Sequence, residues 1–295
     1  MSEPRIKFYK LRDFGAKINA TVEFLRENIW RLFLNLLFIG GPVALVMSLL
    51  LNNLFSSMTA AFDFADNSQV FNFFSLLGGN YFLMILISWL AGSMIIAVSL
   101  TYFRLYNEGV AKDTPIGYVF KFSLKKYGGI LILGVLVGFI VFFAFLFFIL
   151  PGVFLLFVLP LAFATYVFED VSVPRALGRT FTLLRGKWWS TFGIGLVCYI
   201  LAYVIQLIFS LPFMAVYFTN IFTLIEESAT NPNDPTEMFE TFTNGYITVA
   251  LAISMVGGYL TYCIPLIGWG YQYANLVERS EGRGLMNEIA DFDKN

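Results

Sequence analysis

Hydrophobic and polar positions alternate along this chain in long blocks. Six apolar blocks, at about 32–51, 81–102, 128–150, 152–168, 189–209 and 246–267, predict six membrane-spanning helices. A hydrocarbon core of roughly 30 Å needs about 20 residues per helix. The apolar run 128–168 is too long for one span, and Pro151-Gly152 is expected to divide it. The fourth span is short and holds Pro160, which predicts a bent or re-entrant helix. Gly40, Gly41 and Pro42 are expected to kink the first span, and apolar residues after Pro212 extend the fifth toward Ile225. Polar segments rich in basic residues precede the odd-numbered spans. In the first, Phe14, Ile18, Val22, Leu25 and Ile29 form a helical stripe; in the second, Val119, Phe120 and Leu124 line a shorter one. Both read as interfacial helices.

The third entry segment, Glu169 to Trp189, has the most distinctive pattern. Val173, Ala176, Leu177, Thr180, Phe181 and Leu184 fall on one helix face, with Arg175 and Arg179 opposite. Ser172 suits the N-cap, Pro174 the first turn and Gly186 the end. Glu169 and Asp170 are expected at the positive end of the helix dipole. Trp188 and Trp189 mark the headgroup level. The segment reads as a short helix in the interface, apolar face down and arginines toward anionic headgroups. It serves either as an elbow between two spans or as a binding surface for a partner or lipid.

The domain reading follows: an amphipathic segment 1–28, a six-helix membrane domain 29–277 and a tail 278–295. Residues 52–80 are expected to be a loop on the membrane surface, carrying Asp63, Asp66 and several phenylalanines. Residues 226–240 form a second acidic loop, with turn chemistry at Asn231–Pro235. All 19 Lys and Arg lie in the N-terminal segment, the second and fourth connections and the tail. The positive-inside rule then puts both termini in the cytoplasm. No cleavable signal peptide is read, so the first span is expected to stay as an anchor. The entries Leu25-Arg26, Leu124-Lys125 and Leu184-Arg185, each before an aromatic residue, suggest a threefold hairpin repeat.

Composition narrows the chemistry. Charged residues make up 13% of the chain, roughly half the share in soluble proteins. With no histidine, imidazole-dependent mechanisms are excluded. A net charge of −1 gives no field for nucleic acid. Cys198 and Cys263 lie in apolar runs and read as small buried side chains. The spans hold no Asp, Glu, Lys or Arg, which argues against ion-coupled transport. Asn35 and Gln206 are candidate intramembrane polar residues, expected to bond between helices. Gly134 and Gly138 suit close helix packing. Glu169 and Asp170 are the best carboxylates for acid–base or metal work, but adjacency does not face them across a common bond. No catalytic residue, metal ligand or cofactor site is assigned.

Pro160, Glu169-Asp170, Ala176-Leu177, Arg179-Thr180-Phe181, Leu184, Arg185-Gly186 and Trp188-Trp189 together resemble a bacterial integral-membrane family. It is the membrane domain attached to some glycerophosphoryl diester phosphodiesterases, with stand-alone relatives of unknown function. Thr180 stands where that pattern has Ser. The resemblance implies an inner-membrane location and an all-α fold. It does not imply hydrolysis, because the catalytic barrel and its histidines are missing from this sequence. The resulting expectation is an all-α, six-helix membrane protein built as three hairpins. Its leading role is a non-enzymatic scaffold or complex subunit, docking a partner or organising membrane lipids through Glu169, Asp170, Arg175, Arg179, Arg185, Trp188 and Trp189. The alternative is a channel or carrier for a lipid or uncharged small molecule.

Overall fold

The computed structural model describes residues 6–61, 67–111, 114–230 and 245–292. Among these the protein is all helix, with ten helices: α1 Phe14–Ala61, α2 Asn67–Asn107, α3 Ile116–Phe147, α4 Ile149–Val158, α5 Leu161–Glu169, α6 Val173–Leu184, α7 Trp188–Thr230, α8 Gly245–Thr261, α9 Cys263–Glu281 and α10 Arg283–Phe292. Six stretches are long and apolar enough to cross a membrane, as the hydropathy predicts. It is a multi-pass helical membrane protein.

The helices overrun the expected boundaries. The entry segment 14–28 and the first span are one continuous helix, and the second entry segment is continuous with α3. Most of the expected loop 52–80 is helical, in the end of α1 and the start of α2, while Asp63 and Asp66 lie outside the described residues. The turn expected at Asn231–Pro235 also lies outside them. The expected tail carries the end of α9 and all of α10. Where backbone meets lipid, every unpaired N–H or C=O is costly, so a helix once begun tends to continue. The same pressure carries α1 through Gly40, Gly41 and Pro42 without a break.

The division of the run 128–168 falls at Phe148, three residues before the expected Pro151. Phe148 is extended, with φ −152° and ψ 120°. Pro151 sits in the first turn of α4, where a missing N–H costs no helical bond. Gly152 accepts the ring of Phe145 against its backbone. At Pro160 the fourth span is interrupted: α4 stops at Val158 and α5 starts at Leu161, with Leu159 and Pro160 still in the right-handed helical region.

Two compact units can be distinguished. Unit 1 comprises residues 1–36, 93–203 and 262–295, and unit 2 comprises 37–92 and 204–261. In unit 1 an aromatic core forms where Phe103 meets Phe24 and Tyr271 at ring distances of 4.9 Å each and Phe8 at 5.5 Å. Gly270 lets α9 approach Phe103. In unit 2, Gly40 lies against Tyr259 and Gly257 against Phe209, while Asn52 donates to Thr248 at 2.8 Å. All 19 cationic positions fall within unit 1.

Within α1 the buried face is not the apolar stripe. Lys17, Ala20, Thr21, Phe24, Asn28, Leu32 and Asn35 are buried, whereas Phe14, Val22 and Ile29 are exposed. Polar and small residues share the buried face with Phe24 and Leu32, while Phe14, Val22 and Ile29 of the stripe face outward beside exposed Asn19, Glu23 and Arg26. Small and polar side chains between helices suit packing in lipid.

Candidate functional site: the elbow between the fourth and fifth spans

The elbow is α6, flanked by the end of α5 and the start of α7. Ser172 is its N-cap residue with extended backbone, although the hydroxyl makes no capping bond, and Pro174 lies in the first turn. Gly186, at φ +72°, makes the left-handed turn that releases the chain into α7. The buried seam is Ala176, Thr180, Leu183 and Leu184. It packs on α5 and α9, so the apolar face expected to enter the bilayer instead seals onto protein. The Thr180 hydroxyl lies 2.8 Å from the Ala176 carbonyl and 3.1 Å from the Thr165 hydroxyl. Phe181 stays exposed at the rim.

The two carboxylates do not cap α6. Glu169 ends α5, and Asp170 is its C-cap in the left-handed region at φ 53°. Asp tolerates that conformation better than most residues. The Glu169 side chain is only 10% exposed. Its Oε1 accepts from Arg179 Nε at 3.1 Å and from the Tyr273 hydroxyl at 3.1 Å, with Arg283 Nη2 at 3.8 Å. Glu281 pairs with Arg179 and with Arg283 Nε at 2.7 Å. Arg179 therefore lies inside an ion-pair network joining α5, α6 and the end of α9.

Asp170 works in a different direction. It pairs with Arg104 Nη1 at 2.7 Å and with Lys126. Arg104 also donates to the Val167 carbonyl at 2.9 Å and to Glu108 at 2.9 Å. Lys126 sits 5.2 Å from the Tyr166 ring centre. Partial burial pushes the Asp170 carboxyl upward, but the hydrogen bonds and charges of Lys126 and Arg104 outweigh it and hold the group below the usual carboxylate range. Neighbours in sequence, Glu169 and Asp170 thus tie down different helices. No group of three or more metal-ligating side chains occurs among the described residues.

The remaining candidates face outward. Arg175 and Arg185 are exposed and make no ion pair among the described residues. Trp189 is 77% exposed, touching Phe154 and Phe192 edge-on at 5.1 and 6.0 Å. Trp188 is half-buried, stacked on Phe154 at 6.1 Å and tilted against Phe181 at 5.9 Å. Of the seven elbow residues, Glu169, Asp170 and Arg179 are used internally, and Arg175, Arg185, Trp188 and Trp189 form the outer face.

The intramembrane candidates lie elsewhere. Gln206 Nε2 donates to the Ser254 carbonyl at 2.9 Å and to Ser210 Oγ at 3.2 Å, an interhelical clamp as expected. Asn35 bonds within its own helix, to the Arg31 carbonyl at 2.7 Å, and not between helices. A side chain at Gly138 would meet nothing within 4 Å, so no helix uses that small residue. Cys198 and Cys263 are buried, as their place in apolar runs predicts.

One functional-looking group escaped the sequence reading. Lys17 is 3% exposed, and its Nζ donates to Gln272 Oε1 at 2.8 Å and Ser190 Oγ at 3.2 Å. Gln272 Nε2 in turn donates to Thr191 at 2.8 Å. The signal was the face it shares with Ala20, Thr21, Phe24 and Asn28, hidden behind the more obvious apolar stripe. No family model, curated protein or solved structure matches this chain.

Proposed function

We propose that this protein is a non-enzymatic membrane scaffold or complex subunit whose elbow gathers anionic lipid, or docks a partner, at one membrane surface. The observation that carries the reading is the split at the elbow. Glu169, Asp170 and Arg179 tie α2, α3, α5, α6 and α9 together, while Arg175 and Arg185, the latter three residues before Trp188, make no ion pair among the described residues and Trp189 is exposed. An unpaired guanidinium next to an interfacial indole is the pattern that holds headgroup phosphates. The cation distribution supports cytoplasmic termini in a bacterial inner membrane.

The test is lipid retention. Protein extracted in mild detergent, carrying Arg175→Gln and Arg185→Gln together or Trp189→Ala, is compared with the parent by native mass spectrometry against phosphatidylglycerol. Loss of bound anionic lipid supports the reading. Unchanged retention, with no partner lost in the same spectra, sinks it. A reporter fused after Asn295 that is active outside the cytoplasm would overturn the orientation.

A further inference from the structure

Away from the outer face of the elbow, unit 1 contains a groove of about 370 Å³ lined by Leu11, Arg12, Asp13, Asn275, Glu278 and Arg279. That is toward the small end of ligand-holding pockets. Its charged groups are held in place by backbone. Asp13 Oδ1 accepts the Ala16 N–H at 2.7 Å, capping α1. Glu278 accepts the N–H groups of Gly284 at 2.5 Å and Leu285 at 3.4 Å, at the start of α10. The guanidinium of Arg12 is spent on the carbonyls of Phe8, at 3.0 Å, and Lys7, and lies 5.2 Å from the Tyr271 ring centre.

Two donors are not spent. Asn275 is only 6% exposed, and its Oδ1 accepts the Arg12 N–H at 2.7 Å. That bond fixes the amide orientation and leaves Nδ2 with no partner among the described residues. Arg279 is exposed and makes no ion pair among them. The groove therefore offers free N–H donors at Asn275 and Arg279, and carboxylate lone pairs at Asp13 and Glu278. Its complement carries an anion and, a few ångströms away, a cation with N–H bonds of its own.

The depth of the groove follows from pairing between α9 and α7. Gly268 packs on Cys198, and Gln272 bonds Thr191, so the two helices run antiparallel. Asn275 to Arg279 then lie one to two turns beyond Gln272, level with Lys187 and Trp188. Tryptophans in that position mark the headgroup zone.

We propose that this groove holds a phospholipid headgroup of the phosphoethanolamine class. The phosphate accepts from Asn275 Nδ2 and Arg279, and the primary ammonium donates to Asp13 and Glu278. A phosphocholine has no N–H to give. A phosphoglycerol brings only negative charge toward two carboxylates. The site is independent of the elbow face, which the proposed function assigns to anionic lipid.

The experiment titrates purified full-length protein in mild detergent with phosphatidylethanolamine, phosphatidylcholine and phosphatidylglycerol of identical acyl chains, read by native mass spectrometry. Two charge-assisted hydrogen bonds predict roughly tenfold preference for the ethanolamine lipid. Asn275→Asp keeps the acceptor for Arg12 while removing the free donor, and should abolish the preference. Arg279→Gln, at an exposed unpaired position, should weaken it severalfold at an unchanged melting temperature, and serves alone if Asn275→Asp misfolds. Water-soluble glycerophosphoethanolamine is the third arm and should compete only weakly. Equal retention of all three lipids by the parent, an undiminished preference in Arg279→Gln, or free headgroup binding as tightly as lipid would each overturn the assignment. Neither substitution touches Arg175 or Arg185, so phosphatidylglycerol bound at the elbow is a separate readout.

Discussion

Replacing Glu169 should do more damage than any other single change at the elbow. The carboxylate is 10% exposed and takes hydrogen bonds from Arg179 Nε and the Tyr273 hydroxyl, both at 3.1 Å, with Arg283 at 3.8 Å. Breaking a well-buried pair by removing one partner costs about 3–5 kcal/mol. Here the arginines are 26% and 37% exposed, and Arg179 keeps Glu281, so solvent screening lowers the figure. The buried Tyr273 hydroxyl, left without its acceptor, adds about 1 kcal/mol. Glu169→Ala should therefore cost about 3 kcal/mol, a fall of about 6–12 °C in apparent melting temperature for a chain of this size. Glu169→Gln, which keeps an acceptor for Tyr273, should lose about half as much. The assay is tryptophan fluorescence during thermal unfolding in one fixed detergent. A double-mutant cycle with Tyr273→Phe isolates the hydrogen bond, and the two losses should fall short of additive by about 1 kcal/mol. A Glu169→Ala melting point within a degree of the parent would refute the network as a structural lock. Strict additivity in the cycle would refute the Tyr273 contact.

Three further outcomes are expected. Asp170 has a folded-state affinity for protons below its unfolded one, so its stabilising contribution is present above about pH 4 and is lost as pH falls through the depressed value; melting curves from pH 6 to 3 should show that loss, blunted in Asp170→Asn. Gly195→Ala would drive a methyl group to 2.6 Å from the Phe157 carbonyl and 3.1 Å from Trp269 Nε1, which bond each other at 3.0 Å; a destabilisation of about 1–3 kcal/mol should appear in the same unfolding assay. Gln206→Leu removes the clamp to Ser254 and should cost only about 0.6 kcal/mol, because helix pairs in lipid find other partners; a collapse in expression or in detergent monodispersity would show that the clamp carries more than packing.

How much of this was legible in the sequence depends on which physical signal each element leaves. The six spans could be read because a hydrocarbon slab selects for length and apolarity, and both are additive along the chain. The start and end of α6 could be read because Pro174 and Gly186 act locally, each on its own turn, while Ser172 takes the N-cap position without a capping bond. Helix extent was less legible, since lipid rewards continuing a helix through residues that water would leave as loop, as in 52–61 and 67–80. The direction of each face was least legible. A hydropathy wheel assumes that apolar means inside, yet in α1 Phe14, Val22 and Ile29 are exposed while Lys17, Thr21 and Asn28 are buried.

The same inversion explains the candidate site. Glu169, Asp170 and Arg179 stood out as charged residues beside a membrane, and charge beside a membrane suggests headgroups. Headgroups, however, compete with protein groups already fixed nearby. Asp170 finds Arg104 and Lys126 from two other helices, and Glu169 finds Arg179 and Tyr273. Apart from Arg179, ten residues on in the same segment, those partners are distant in sequence, so no local pattern reveals them. Among the described residues, contact with water or lipid is then left to exposed cations that no carboxylate reaches, which include Arg175 and Arg185 at the elbow, Arg279 at the groove, and Lys10, Arg26, Lys121 and Lys125. For a chain whose 19 cations all fall in unit 1 beside 13 of its 20 carboxylates, the informative cation is the one left over after internal pairing. Sequence counts the cations, but only the packing of α5, α6 and α9 says which remain.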